Sequence, residues 1–179
     1  MQSFEFSGLP TRVILAPGAA ERVSDQVDQI GGTRVMLVCG GKTGRSKLAS
    51  NVKAALGARL AVIYDSIVEH SSTQTVEVGA RLAARERVDL LLAIGGGSTS
   101  DTAKAIAIVL AEGEPLGRHA SSFIPPDRYI PRDLLKPKLP LIVIPTTLSA
   151  AEVTPGLGVR NEADERKLLF WDVKLAPRV

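Results

Sequence analysis

The segment that most limits the fold is an apolar run, Leu90-Leu91-Leu92-Ala93-Ile94, that ends in Gly95-Gly96-Gly97-Ser98. A strand that is apolar at every position is covered on both faces, as in the centre of a parallel sheet flanked by helices. A second such run, Val35-Met36-Leu37-Val38, leads into Cys39-Gly40-Gly41. Further β-rich runs lie at residues 12–15, 60–64 and 139–145. Helix-period stretches at 19–30, 46–56, 73–87 and 98–110 stand between the runs. This alternation predicts an α/β fold: βαβ units around a mostly parallel sheet with flanking helices. Residues 4–6 and 12–15, on either side of Gly8-Leu9-Pro10, predict an N-terminal hairpin at the sheet edge. Residues 113–138 hold five of the 11 prolines and read as a long surface connection. Residues 153–159 and 167–171, around a polar turn at 160–166, predict a C-terminal β-hairpin. The expectation is a single domain over residues 1–179.

Composition excludes several classes. Hydrophobic residues at 45% and charged residues at 23% suit a globular chain rather than a disordered one. No apolar run approaches the ~18–20 residues of a membrane span. The first residues, Met1-Gln2-Ser3-Phe4-Glu5-Phe6, show neither a basic start nor an apolar core, so no secretory signal and no membrane are expected. A single cysteine excludes an intramolecular disulfide and a cysteine-cluster zinc site, and it fits a cytoplasmic location. Two histidines exclude a three-His metal centre made by this chain alone. A net charge of +3, spread among acids, and 4% aromatics argue against a nucleic-acid partner.

The chemistry-bearing signal is the first glycine cluster. Glycines without Cβ let an anion approach the backbone, and the amides of the helix that follows can hold it. Ser98 is placed as the N-cap of that helix, with Asp101 returning a bond as in a capping box. The alternative is that these residues only cap a helix after a tight turn. Lys104 reads as a solvated lysine. The second cluster, Gly40-Gly41-Lys42-Thr43-Gly44, resembles the end of a triphosphate loop, but Met36 occupies the position of the required first glycine. The dinucleotide fingerprint G-x-G-x-x-G is absent as well. No carboxylate stands there to hold a ribose hydroxyl, while Lys42 and Arg45 would tolerate a 2′-phosphate. A plain strand-to-helix turn is the alternative. A third element, Ile144-Pro145-Thr146-Thr147-Leu148-Ser149, follows the last core strand and should bring its hydroxyls to the same carboxyl edge. Cys39 reads as a core thiol. Ser98 is no hydrolase nucleophile, because Ser100 stands where the G-x-S-x-G elbow needs glycine.

Together these segments resemble the iron-containing (group III) alcohol dehydrogenase family, and its maleylacetate reductase branch in particular. Gly95-Gly96-Gly97-Ser98 with Asp101, Ala103 and Lys104 matches the GGGSxxDxAK signature. Pro145-Thr146-Thr147 followed by Ala151-Glu152-Val153-Thr154 matches the PTT…SE-x-T stretch. Lys167, Asp172 and Pro177-Arg178-Val179 match the K…D…P-x-V run. The short Thr147-to-Glu152 spacing and His70 are similar to the maleylacetate reductase form. The resemblance implies a Rossmann-like, dehydroquinate synthase-like sheet domain that binds NAD or NADP. It implies hydride transfer between NAD(P)H and an alcohol, aldehyde, ketone or maleylacetate-like substrate, in a cytoplasmic homodimer. A non-catalytic dinucleotide-binding module and a dehydroquinate synthase-like lyase domain are the alternatives.

By the same resemblance Gly96, Gly97 and Ser98 bind the pyrophosphate, and Asp101 lies near the nicotinamide ribose. Thr146, Thr147, Ser149, Thr154 and Lys167 border the rest of the cofactor. Gly40 and Gly41, beside Lys42, replace the aspartate of many NAD-dependent members, which leaves NAD and NADP both open. Leu148-Ser149-Ala150 replaces the usual glycine-containing turn. The Asp and three His that hold Fe²⁺ or Zn²⁺ in the family belong to a C-terminal helical domain expected beyond Val179. No catalytic and no metal-ligating residue is therefore assigned within the chain.

Overall fold

The computed structural model describes residues 8–67 and 71–179. Four parallel strands form the sheet: β1 (Val35–Cys39), β2 (Leu60–Tyr64), β3 (Leu90–Gly95) and β6 (Leu141–Pro145), in the order β2-β1-β3-β6. β1 and β3 are buried at every position, as continuous apolar runs require. Alternate residues feed two core layers. Val35, Leu37, Leu90, Leu92 and Ile94 pack with Val23 and Val27 of α1 (Val23–Ile30) and with Ala49, Val52 and Leu56 of α3 (Lys47–Leu56). Met36, Val38, Leu91 and Ala93 face the opposite layer, built from α4 (Thr73–Arg85) and α5 (Gly97–Glu112). Ser46 and Ser72 cap α3 and α4 by accepting from the amides of Ala49 and Thr75. A four-residue helix, α2 (Gly41–Gly44), follows β1.

The strand order fixes where a ligand can enter. The chain leaves β1 for β2 on one side and returns to β3 on the other. Loops leaving the carboxyl ends of β1 and β3 diverge and open a crevice at this reversal. Both glycine clusters sit there. The register Gly95↔Pro145 brings the threonine segment after β6 to the same edge.

Several expectations need correction. Residues 12–15 form no strand. Pro10 and Pro17 bracket them, Val13 and Leu15 lie exposed, and their described tie to the sheet edge is the Arg12 amide bonded to the Arg178 carbonyl at 3.0 Å. The other arm of that expected hairpin, residues 4–6, lies outside the described residues, as does His70. The surface connection holds a small antiparallel hairpin, β4 (Ser122–Ile124) with β5 (Arg128–Ile130), turning at Pro125-Pro126-Asp127. Three-residue strands are too short for alternation to show in a sequence. The C-terminal hairpin forms as expected, from β7 (Gly156–Arg160) and β8 (Lys167–Trp171). Cys39 is buried, and burial, with the Asp65 charge adding to it, pushes its thiol above the ordinary range; it is a core thiol.

Candidate dinucleotide site

The bend after β3 is built from three successive glycines, Gly95, Gly96 and Gly97. Gly96 takes the N-cap position of α5 in an extended conformation. Its carbonyl accepts from the amides of Thr99 (3.1 Å) and Ser100 (3.2 Å). Ser98 is therefore the second residue of the helix, not its cap, and its hydroxyl forms no capping box with Asp101. The cap lies two residues earlier because Gly96 can cap with its backbone alone. Among the described residues no acceptor meets the amides of Gly97 and Ser98, as is usual for the first donors of a helix. A Cβ on Gly96 would come within 2.9 Å of Thr147 Oγ1, and one on Gly97 within 3.2 Å of Ser149 Cβ. The glycines thus serve two close approaches: open amides on one side and the threonine-serine loop on the other.

That loop is anchored at its start. The Thr146 amide donates to the Gly95 carbonyl at 2.9 Å. Residues 146–150 are otherwise exposed, and Ser149 donates to the Glu152 carboxylate at 3.0 Å. From beneath, buried Ser71 and Thr102 hold the Ser98 carbonyl, at 3.1 and 2.8 Å.

Asp101, one turn into α5, accepts from the Gly158 amide of β7 at 3.1 Å. Burial raises its carboxyl above the usual range, while that amide, Lys104 and Lys167 pull it back. The Lys167 side chain crosses the position a Gly158 Cβ would occupy. Lys104 is not a solvated lysine: it is fully buried, and burial lowers its ammonium to about 8 against the pull of Asp101 and Glu152.

Two adjoining cavities open over this cluster. One, of about 440 Å³, is lined by Asp101, Ser149, Thr154, Lys167, Tyr129 and Trp171, among others. The other, of about 300 Å³, is lined by Ser98, Asp101, Lys167 and Arg160, among others. The structure therefore brings together Ser98, Asp101, Ser149, Thr154 and Lys167, with Gly96, Gly97, Thr146 and Thr147 on their border. It does not bring Gly40, Gly41 and Lys42 to either cavity. They stand along the edge, with Lys42 exposed. Sequence reasoning missed Gly158, Trp171, Tyr129 and Ser71. The alternation Gly156-Leu157-Gly158 inside a strand was the one available signal, because glycine in a strand interior marks close approach.

The cradle fits a dinucleotide: open amides, missing Cβ atoms, hydroxyls and two cations surround about the right space. An iron or zinc ion finds no fit here. Among the described residues no three His, Cys, Asp or Glu side chains converge, and His119 is engaged through Nε2 with the Gly113 carbonyl at 2.9 Å. No described helix is long and apolar enough to cross a membrane.

Comparison with known proteins identifies the family. Maleylacetate reductase of Sphingobium indicum is 30% identical over 176 residues, covering 98% of this chain and 41% of that protein. NAD-dependent methanol dehydrogenase of Bacillus methanolicus is 29% identical over 176 residues, covering 96% of this chain and 43% of that one. The chain thus spans well under half the length of these curated relatives. The crystal structure of sulfoacetaldehyde reductase from Bifidobacterium kashiwanohense in complex with NAD+ has the same fold, with a TM-score of 0.83 at 18% identity over 99% of this chain and 45% of that one. The family model for iron-containing alcohol dehydrogenases matches residues 10–179, and the chain belongs to that family.

Proposed function

We propose that the chain is a single dinucleotide-binding domain of an NAD(P)-dependent oxidoreductase acting on an alcohol, aldehyde, ketone or maleylacetate-like substrate. The observation that carries this reading is a bend without Cβ atoms whose Gly97 and Ser98 amides meet no acceptor among the described residues, with Ser98 lining a cavity that also holds Asp101 and Lys167. The NAD dependence of the Bacillus methanolicus methanol dehydrogenase and the NAD+ complex of the sulfoacetaldehyde reductase support the choice of ligand.

In this reading the Gly97 and Ser98 amides and the α5 dipole bind the pyrophosphate. Ser149, Thr147 and Thr154 supply hydroxyls along the cofactor, and Thr146 fixes the start of their loop. Lys167, held across Gly158, faces the ribose together with Asp101. Gly40, Gly41 and Lys42 lie along the edge toward the adenosine end, where the Lys42 cation would meet the 2′-phosphate of NADP and the neighbouring Asp65 carboxylate the 2′-hydroxyl of NAD. The nicotinamide ring, when bound, supplies the hydride chemistry, and this chain's residues bind and orient it. Fluorescence titration of the folded chain with NADH and NADPH tests the reading. Micromolar-range saturation by at least one is expected, and binding of neither would overturn it.

A further inference from the structure

Lys104 sits in the second turn of α5 with none of its side chain exposed. Lysine is almost never buried in this way unless its ammonium is partnered. Here Nζ donates to three main-chain carbonyls, those of Ala151 (2.6 Å), Thr154 (2.7 Å) and Gly156 (3.0 Å). An ammonium has three donors, so donors and acceptors match in number.

All three acceptors lie in one short stretch, residues 151–156, between the threonine loop and β7. That stretch has little to hold itself. Its other ties are local: the Val153 amide and the Thr154 hydroxyl donate to the Ala150 carbonyl at 3.1 and 3.0 Å, the Ala151 amide donates to the Ser149 hydroxyl at 3.3 Å, and Gly156 opens the β7–β8 ladder opposite Trp171. Ala150 has a φ of +62°, which a residue with a Cβ adopts only when its surroundings impose it. The stretch nevertheless carries Thr154 into the larger cavity, and Glu152 within it accepts the Ser149 hydroxyl that faces Gly97. Lys104 itself lines neither cavity, so it cannot touch a ligand there.

We propose that Lys104 is a positioning residue for dinucleotide binding: its ammonium ties residues 151–156 to α5 and thereby holds Ser149 and Thr154 at the glycine bend. This inference rests on the dinucleotide reading given above. The bonds run from a helix that starts at the bend to the loop that roofs it, so bend and roof form one unit. Without the ammonium, three half-buried carbonyls lose their partner, and the cheapest relief is for the stretch to move toward water.

Two variants test it in the chain as it stands. Lys104→Met keeps the length and removes every donor; Lys104→Gln keeps two. The NADH dissociation constant should rise about tenfold or more in the Met variant and less in the Gln variant. Amide exchange should accelerate at residues 150–156 while β3 and α5 stay protected. Saturating NADH should in turn slow exchange at 150–156 in the wild-type chain, because coupling between ligand and loop is reciprocal. Unchanged NADH affinity in folded Lys104→Met overturns the proposal. So does a general loss of protection through β3 and α5, which would mark a role in stability alone. If neither variant folds, the wild-type exchange decides: slowed exchange upholds the proposal and unchanged exchange overturns it. A wild-type chain that binds neither NADH nor NADPH overturns the dinucleotide reading itself, a result separate from all of these.

Discussion

The chain makes the same local structure twice, and only one copy borders the two described cavities. β1 and β3 are adjacent, fully buried, and each runs through glycines into a helix at the same sheet edge. After β3 the helix has sixteen residues, a loop roofs the bend, and the β7–β8 hairpin walls the space beyond it. After β1 the helix has four residues, and neither described cavity reaches Gly40 or Gly41. A Cβ on Gly41 would meet Arg45 Nη1 at 3.5 Å, an ordinary contact. A glycine turn is therefore only half of a binding site. The other half is what the rest of the chain lays over it.

The sharpest way to break the comparison is to add the same side chain to both bends. Gly97→Val places a branched group against Ser149 and beside the open amides, and dinucleotide affinity should fall about a hundredfold, or ~3 kcal/mol. The melting temperature should fall too, because the roof must shift. Gly41→Val, beside the proposed adenosine end but bordering neither cavity, should cost less, no more than about tenfold. Isothermal titration with NADH reads both. Equal losses at the two bends would show that the roof is irrelevant.

The next effect probes the exposed bend alone. Changing Lys42 and Arg45 together to Ala should weaken NADPH by about 1–3 kcal/mol and spare NADH, as expected for charged hydrogen bonds to a phosphate. Equal weakening of both cofactors would remove Lys42 and Arg45 from the 2′ position.

The smallest effect concerns Asp101 at the roofed bend. Burial raises its carboxyl, so the folded chain favours the protonated form. Its ionised form is a cost to stability at neutral pH, and the cost disappears as pH falls through the raised value to the ordinary one. Asp101→Asn should therefore be at least as stable as the wild type at pH 7 in guanidinium denaturation. The difference should shrink on acidification. A variant that loses stability at pH 7 and regains nothing in acid would show that the carboxylate's pairing with Lys104 and Lys167 outweighs its burial.

Much of the scaffold was legible. Residues 60–64 match β2 in both bounds, and the apolar runs at 35–38 and 90–94 mark β1 and β3, because burial on both faces leaves no polar position. The start of α5 was misplaced by a residue type: Ser98 has the side chain of a cap, but Gly96 caps with backbone geometry that sequence does not display. Lys104 was misread for a different reason. Its partners lie 47 to 52 residues downstream, so nothing in its own helix announces its burial. The cavity walls Tyr129 and Trp171 come from two hairpins that meet only in three dimensions.

Trp171 gives the larger cavity an optical property. It is the only tryptophan in the chain, it packs over Gly156, and it is 56% exposed. Indole emits where a reduced nicotinamide absorbs, so a ring entering this space quenches that emission by energy transfer. The chain thus carries its own lamp at the wall of the candidate pocket. Occupancy can be followed in the unlabelled protein, with Trp171→Phe as the dark control.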